Sequence, residues 1–184
     1  MTLPITLAFL TGKPSGSGFW KVETFADGSS SIIEWHPSLG TQPSIEELEA
    51  AKHPAALFTV ASKIKAERER RQLQGGFPVT LPGIGNVRFH SDTHSRSQHA
   101  GLYASAQLTL LQGGTASTPI GSPQVQWKTM DGTMVPLTVG VLLALLQASL
   151  THEAAIHAAA ETHIAAAALL DDPLTYDFST GWPD

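Results

Sequence analysis

The sequence predicts an α+β fold, and three observations lead there. Two β-hairpin patterns, at residues 77–89 and 125–137, are each followed by a helical stretch, so a ββα unit occurs twice. The second of these helical stretches is the longest in the chain. Short alternating segments near the N-terminus are set apart from this repeat by a charge-rich helix. The expected organisation is a small antiparallel β module over residues 1–43, a helical linker over 44–75 and a doubled ββα domain over 76–184.

Three strands are expected in the first module. Leu3, Ile5 and Leu7 alternate with Pro4 and Thr6, residues 19–25 alternate around Val22, and residues 31–35 hold the β-branched pair Ile32-Ile33. The segments KPSGSG and ADGSS separate them with turn chemistry. Trp20, Trp35 and Phe25 are the candidate core of a sheet too small to be stable without a further packing surface.

Ser44 and Glu47 have the spacing of a capping box and start a helix. His53-Pro54 is expected to interrupt it, and a second helix then runs to the stop signal Gly75-Gly76. Leu57, Val60, Ala61 and Ile64 share one face, whereas KAERERRQ reads as solvated, with Glu67 and Arg71 at i,i+4 spacing. The narrow apolar seam would also suit pairing with copies of itself.

In the doubled unit, the strands around Pro82-Gly83-Ile84-Gly85 form the first hairpin, and Ser91 or Asp92 caps a helix reaching about Gln112. The run GGTASTPIGSP, 113–123, reads as a loop with no tendency to order. Asp131-Gly132 turns the second hairpin. Beyond Thr138, Val141, Leu142, Leu145 and Leu146 fall at helical spacing, and nothing breaks the helix before Asp171-Asp172-Pro173. That rod is about 45 Å long. Its residues are too apolar for a free surface.

A net charge of −5 with 11 Lys and Arg argues against a nucleic-acid partner. Without cysteine, disulfides, thiolate nucleophiles and Cys-based metal sites are excluded. The N-terminal apolar run has no basic residue ahead of it, so no signal peptide is expected, and the apolar run 137–150 is shorter than a bilayer requires, so no membrane span is expected. No cofactor is implied. His90, His94 and His99 are weak metal candidates, and His152, Glu153 and His157 narrowly miss the H-E-x-x-H zinc motif because i,i+5 spacing turns the rings apart. The alternative for both groups is solvated or hydrogen-bonded histidine.

Arg88 and Asp92, with Ser95, Arg96 and Gln98, then Gly101, Trp127 and the closing Trp182-Pro183, form a pattern V-R-F-x-x-D, S-R-x-Q, W-P. This pattern, over residues 72–184, resembles an uncharacterised domain of tailed bacteriophages found in small proteins encoded beside tail-fibre genes. The resemblance implies a virion tail location, other phage tail proteins as partners and a homo-oligomer, with a trimer favoured. From residue types, Asp92 and Arg96 suit capping and packing or a ligand contact, and Gly101 suggests close approach of another backbone. Trp182 fits either a domain clasp or a sugar-stacking platform. Three functions compete: a non-enzymatic tail component at the fibre, baseplate or tip; a tail-fibre assembly chaperone absent from the mature virion; and a His-dependent metal hydrolase, for which no positioned base is visible.

Overall fold

Helices form because apolar side chains recur on one face and capping groups serve their ends; hairpins form where turn chemistry separates alternating strands. The computed structural model describes residues 3–183, and the α+β class is what it shows. In chain order the elements are α1 (Leu3–Thr11), β1 (Trp20–Thr24), β2 (Ser30–Trp35), α2 (Ile45–Gln74), β3 (Phe77–Leu81), β4 (Gly85–Phe89), α3 (Thr93–Leu111), β5 (Gln126–Lys128), β6 (Met134–Pro136) and α4 (Val139–Ala168). Two compact units are distinguished. One comprises Met1–Lys65 with Glu161–Thr180, the other Ala66–Ala160 with Gly181–Asp184, so both α2 and α4 pass through a unit boundary.

The first unit corrects the expected three-stranded module. Leu3 to Leu7 is helical, leaving β1 and β2 as a two-stranded antiparallel ribbon. Pro4 sits in the first turn of α1, where its missing N–H costs nothing, and an unbroken apolar run is as compatible with a buried helix as with a strand. Leu7 is fully buried, the Thr11 hydroxyl donates to Leu7 O at 2.7 Å, and the Phe9 ring lies 5.8 Å from that of Phe58 on α2. Of the three aromatic core candidates only Trp20 is buried. Trp35 is half-buried, and Phe25 is exposed.

A second correction concerns Pro54, which lies inside one continuous helix. The capping box forms as expected: Ser44 N–H donates to Glu47 Oε2 at 2.7 Å, and Glu47 N–H to Ser44 Oγ at 3.2 Å. Pro54 is on the exposed face, where water can serve the carbonyl that lacks its N–H partner. On the opposite side Ala51, Ala55, Ala56, Val60 and Ile64 are buried, and this continuous stripe holds the helix across the proline.

In the second unit β3 pairs with β4 from Phe77↔Phe89 to Leu81↔Gly85, and β5 pairs with β6 through Trp127↔Val135. Alternation is clean on β3: Phe77, Val79 and Leu81 are buried, Pro78 and Thr80 exposed. The two hairpins are separate ribbons rather than one sheet, linked by Met130 N–H donating to Arg88 O at 2.8 Å. Their inner faces join Val139, Leu142 and Leu145 of α4 and Ala106 of α3 in one core, with Phe89 at its centre.

The segment 113–123 is far more ordered than its composition suggested. Ile120 is buried, its N–H donates to Leu137 O at 3.0 Å, and its carbonyl accepts from Val125 N–H at 2.8 Å. Ala116 O and Thr118 O accept from Gly140 N–H and Val139 N–H at 2.8 and 3.1 Å, while Thr138 Oγ1 accepts from Val141 N–H. The loop thus supplies the partners that the first turn of an α-helix lacks.

Tertiary position overrides composition along α4 as well. Leu142, Leu145, Ile156, Ala160 and Ala167 are buried, whereas Leu143 and Leu150 are 42% and 56% exposed. Alanines carry the apolar character past His152-Glu153, so α4 is long and apolar enough to cross a membrane by length and composition, with a mean hydropathy of 1.5 over its most apolar window and 22% of that window buried.

Glycine has two opposite meanings here. Gly76, at φ +65°, follows α2 in the left-handed region, and a Cβ there would meet Phe89 O at 2.5 Å as well as the Met130 sulfur. Gly101 departs from expectation: it is exposed on α3 and a Cβ would meet nothing within 4 Å, so no backbone approaches it. Gly76→Ala is therefore expected to destabilise the protein by at least about 2 kcal/mol, and Gly101→Ala to stabilise it by up to about 1 kcal/mol. Urea denaturation of the two variants measures both.

Candidate functional site at the Arg96 junction

Asp92 caps α3: its carboxylate accepts from Ser95 N–H at 3.0 Å and from the Ser95 hydroxyl at 2.7 Å. These bonds hold the Asp92 carboxyl down at about 2. Capping fixes the first turn, and one residue beyond Ser95 the Arg96 side chain leaves the helix.

Arg96 is the hub of the unit. Its Nε donates to Ser91 O at 2.6 Å, Nη2 to Gln72 O at 2.9 Å near the end of α2, and Nη1 meets Glu153 Oε1 of α4 at 2.9 Å. A planar guanidinium places donors on three separate nitrogens in a fixed fork, whereas an ammonium carries all of its donors on one atom. Neighbouring bonds close the same junction. Gly76 N–H donates to Ser91 Oγ at 3.0 Å, and Arg88 Nε to Gly75 O at 2.7 Å, so the loop after α2 is held by Arg88 and Ser91 while Arg96 holds the helix end. Further along α2, Glu67 accepts from Arg70 and Arg71 at 2.7 Å and is held at about 2 mainly by Arg70, and the Arg71 guanidinium lies over the Trp182 ring at 5.1 Å.

Beside the junction sits His99. It is buried, with its ring 4.4 Å from Trp127, 6.0 Å from Phe77 and 6.2 Å from Tyr103. Burial pulls the imidazole down to about 4 and pushes the Tyr103 phenol up. His99 Nε2, Tyr103 OH and Trp127 Nε1 are buried with no hydrogen-bond partner. The Ser149 hydroxyl, which donates to Leu146 O at 3.0 Å and keeps its lone pairs free, partly offsets that rise of the phenol.

Of the residues singled out from sequence, Arg88, Asp92 and Arg96 come together at this junction, and Trp127 packs on His99. Gln98 and Gly101 lie on the exposed face of α3, and Trp182 is half-buried under Arg71. The three histidines do not converge on an ion. His90 is half-buried after β4, His94 is exposed and His99 lies in the aromatic cluster, and among the described residues no group of three or more His, Cys, Asp or Glu is placed to hold a metal. Glu153 and Tyr103 had no individual signal: Glu153 drew notice only as part of a near-miss zinc motif, yet its partner is Arg96.

A family model described as a domain of unknown function, DUF4376, matches residues 55–180. The chain belongs to that family. The DUF4376 match starts within α2, upstream of the residue-72 boundary suggested by the motifs, and ends before Trp182. It takes in Arg88, Asp92, Arg96, His99, Tyr103 and Glu153. No curated protein and no solved structure matches the chain.

The shifted groups set a pH dependence. His99 binds its proton near 6.5 when unfolded and near 4 when folded, so acidification favours the unfolded chain through that window. Asp92 and Glu67 have the usual carboxylate sign: their contribution is present above their unfolded values of 3.8 and 4.5 and is lost as pH falls towards about 2. The urea midpoint is expected to fall between pH 6.5 and 4 and to fall further below that. His99→Phe should shrink the upper step, with His152, also lowered by burial, supplying what remains.

Proposed function

We propose that this chain is a non-enzymatic structural component of a bacteriophage tail, at the fibre, baseplate or tip, acting through contacts with copies of itself and with other tail proteins. The observation that carries the reading is the apolar surface left open on the second unit. Leu108 and Leu111 of α3 are 56% and 86% exposed, and Leu143 and Leu150 of α4 add to them. Leucines exposed on two helices of one unit offer apolar contact area to a macromolecular partner. The phage setting and the favoured trimer rest on the resemblance of the V-R-F-x-x-D, S-R-x-Q motif.

Two features argue against catalysis. Arg96 is committed to Glu153 and to the Ser91 and Gln72 carbonyls, and burial among aromatic rings keeps His99 neutral, with no group of three or more metal-ligating side chains placed around an ion among the described residues. A membrane-crossing role for α4 fits less well than a protein contact. Glu153, Glu161 and three histidines lie along the helix, and each charge at a bilayer centre costs about 3 kcal/mol.

The same open surface would suit an assembly chaperone that covers fibre segments transiently. Mass spectrometry of purified virions, quantified against a known tail protein, separates the two. The structural reading expects a small fixed stoichiometry in washed particles, consistent with closed symmetry. Peptides abundant in the lysate but missing from particles would replace it with the chaperone.

A further inference from the structure

A cavity of ≈ 180 Å³ opens in the second unit between β3, the start of α3 and α4, lined by Phe77, Ser91, Arg96, His99, Tyr103, Ser149 and Glu153. His99 is 3% exposed and its Nε2 has no partner; the Tyr103 hydroxyl on the same wall has none either. Buried polar atoms are nearly always hydrogen-bonded in a folded protein, so two such atoms on residues that line one cavity point to an occupant that serves them.

Charge selects among occupants. Arg96 and Glu153 face the cavity as an ion pair at 2.9 Å, so the site is close to neutral. An anion would have to displace or lie against Glu153, and a cation would meet Arg96 in the same way. The pair still leaves guanidinium N–H groups and carboxylate lone pairs unused after the contacts to Ser91 O, Gln72 O and each other. The open groups are thus donors and acceptors side by side, together with a phenol and an imidazole that can act as either. A hydroxyl also donates and accepts, and adjacent hydroxyls match a guanidinium next to a carboxylate. The Phe77 and Tyr103 rings supply an apolar wall for C–H groups.

We propose that this cavity binds a neutral polyhydroxylated molecule of about monosaccharide size, with hydroxyls bonded to Tyr103 OH, His99 Nε2 and the Arg96–Glu153 pair. The site lies within one unit and does not depend on the tail assignment: a particle component or a chaperone would carry it equally.

The test uses the full chain with 15N-labelled histidine, titrated with single neutral monosaccharides (glucose, galactose, mannose, N-acetylglucosamine), with sodium acetate and methylammonium chloride as ionic probes. At least one sugar is expected to shift the His99 Nε2 resonance saturably with a Kd at or below about 10 mM. Tyr103→Phe, which keeps the ring and removes only an unpartnered hydroxyl, should weaken that binding about 5- to 10-fold without lowering the urea midpoint. The proposal is overturned if no sugar moves the resonance, if only the ionic probes do, or if Tyr103→Phe binds sugar as well as the parent chain.

Discussion

The second unit depends on one side chain satisfying three segments that are distant in sequence. Gln72 O ends one helix, Ser91 O precedes another, and Glu153 lies on a third; the guanidinium meets each through a different nitrogen at hydrogen-bonding distance. Each of these bonds is charge-assisted, and each carbonyl is one that the ends of regular structure leave unserved. The Asp92 cap sets where α3 begins and therefore where Arg96 points. Gly76 allows the chain to turn from α2 into β3 within the space that Ser91 and Phe89 leave. Replacing Arg96 would remove the one group common to these contacts.

The contrast between this buried polar junction and the outer surface separates structure from function. Polar residues that look chemically promising in sequence are bonded to one another and to backbone. The apolar side chains of α3 and α4 that look like core are partly in solvent. The polar groups are thus engaged in holding the junction, while several leucines remain exposed. Beside the junction, the unpaired atoms of His99, Tyr103 and Trp127 are the exceptions to that economy, and the first two belong to residues that line the adjoining cavity.

Local signals were legible wherever local physics decides the outcome. Both hairpins of the second unit, the Ser44–Glu47 box and the Asp92 cap follow from spacing and turn chemistry, because each is satisfied within a few residues. Outcomes decided by distant partners were not. Leu3 to Leu7 alternates like a strand but is helical, Pro54 reads as a stop but rides on the exposed side of a helix held by its buried alanines, and 113–123 reads as loose although its carbonyls serve the start of α4. Arg96 was visible as a motif residue suited to packing or a ligand contact. Glu153, more than fifty residues away, could not be chosen as its partner, since helix α4 offers no sequence mark for which of its faces turns towards α3.

Native-state hydrogen exchange on Arg96→Lys, a variant that keeps the charge and loses the fork, examines the junction most directly. If one guanidinium unites the three segments, the amides of the last turn of α2, Gly76 and the first turn of α3 exchange roughly tenfold faster, while β5 and β6 keep their protection. Unchanged exchange at Gly76 and around Ser91, or an equal loss across the whole unit, would contradict the central place given to Arg96.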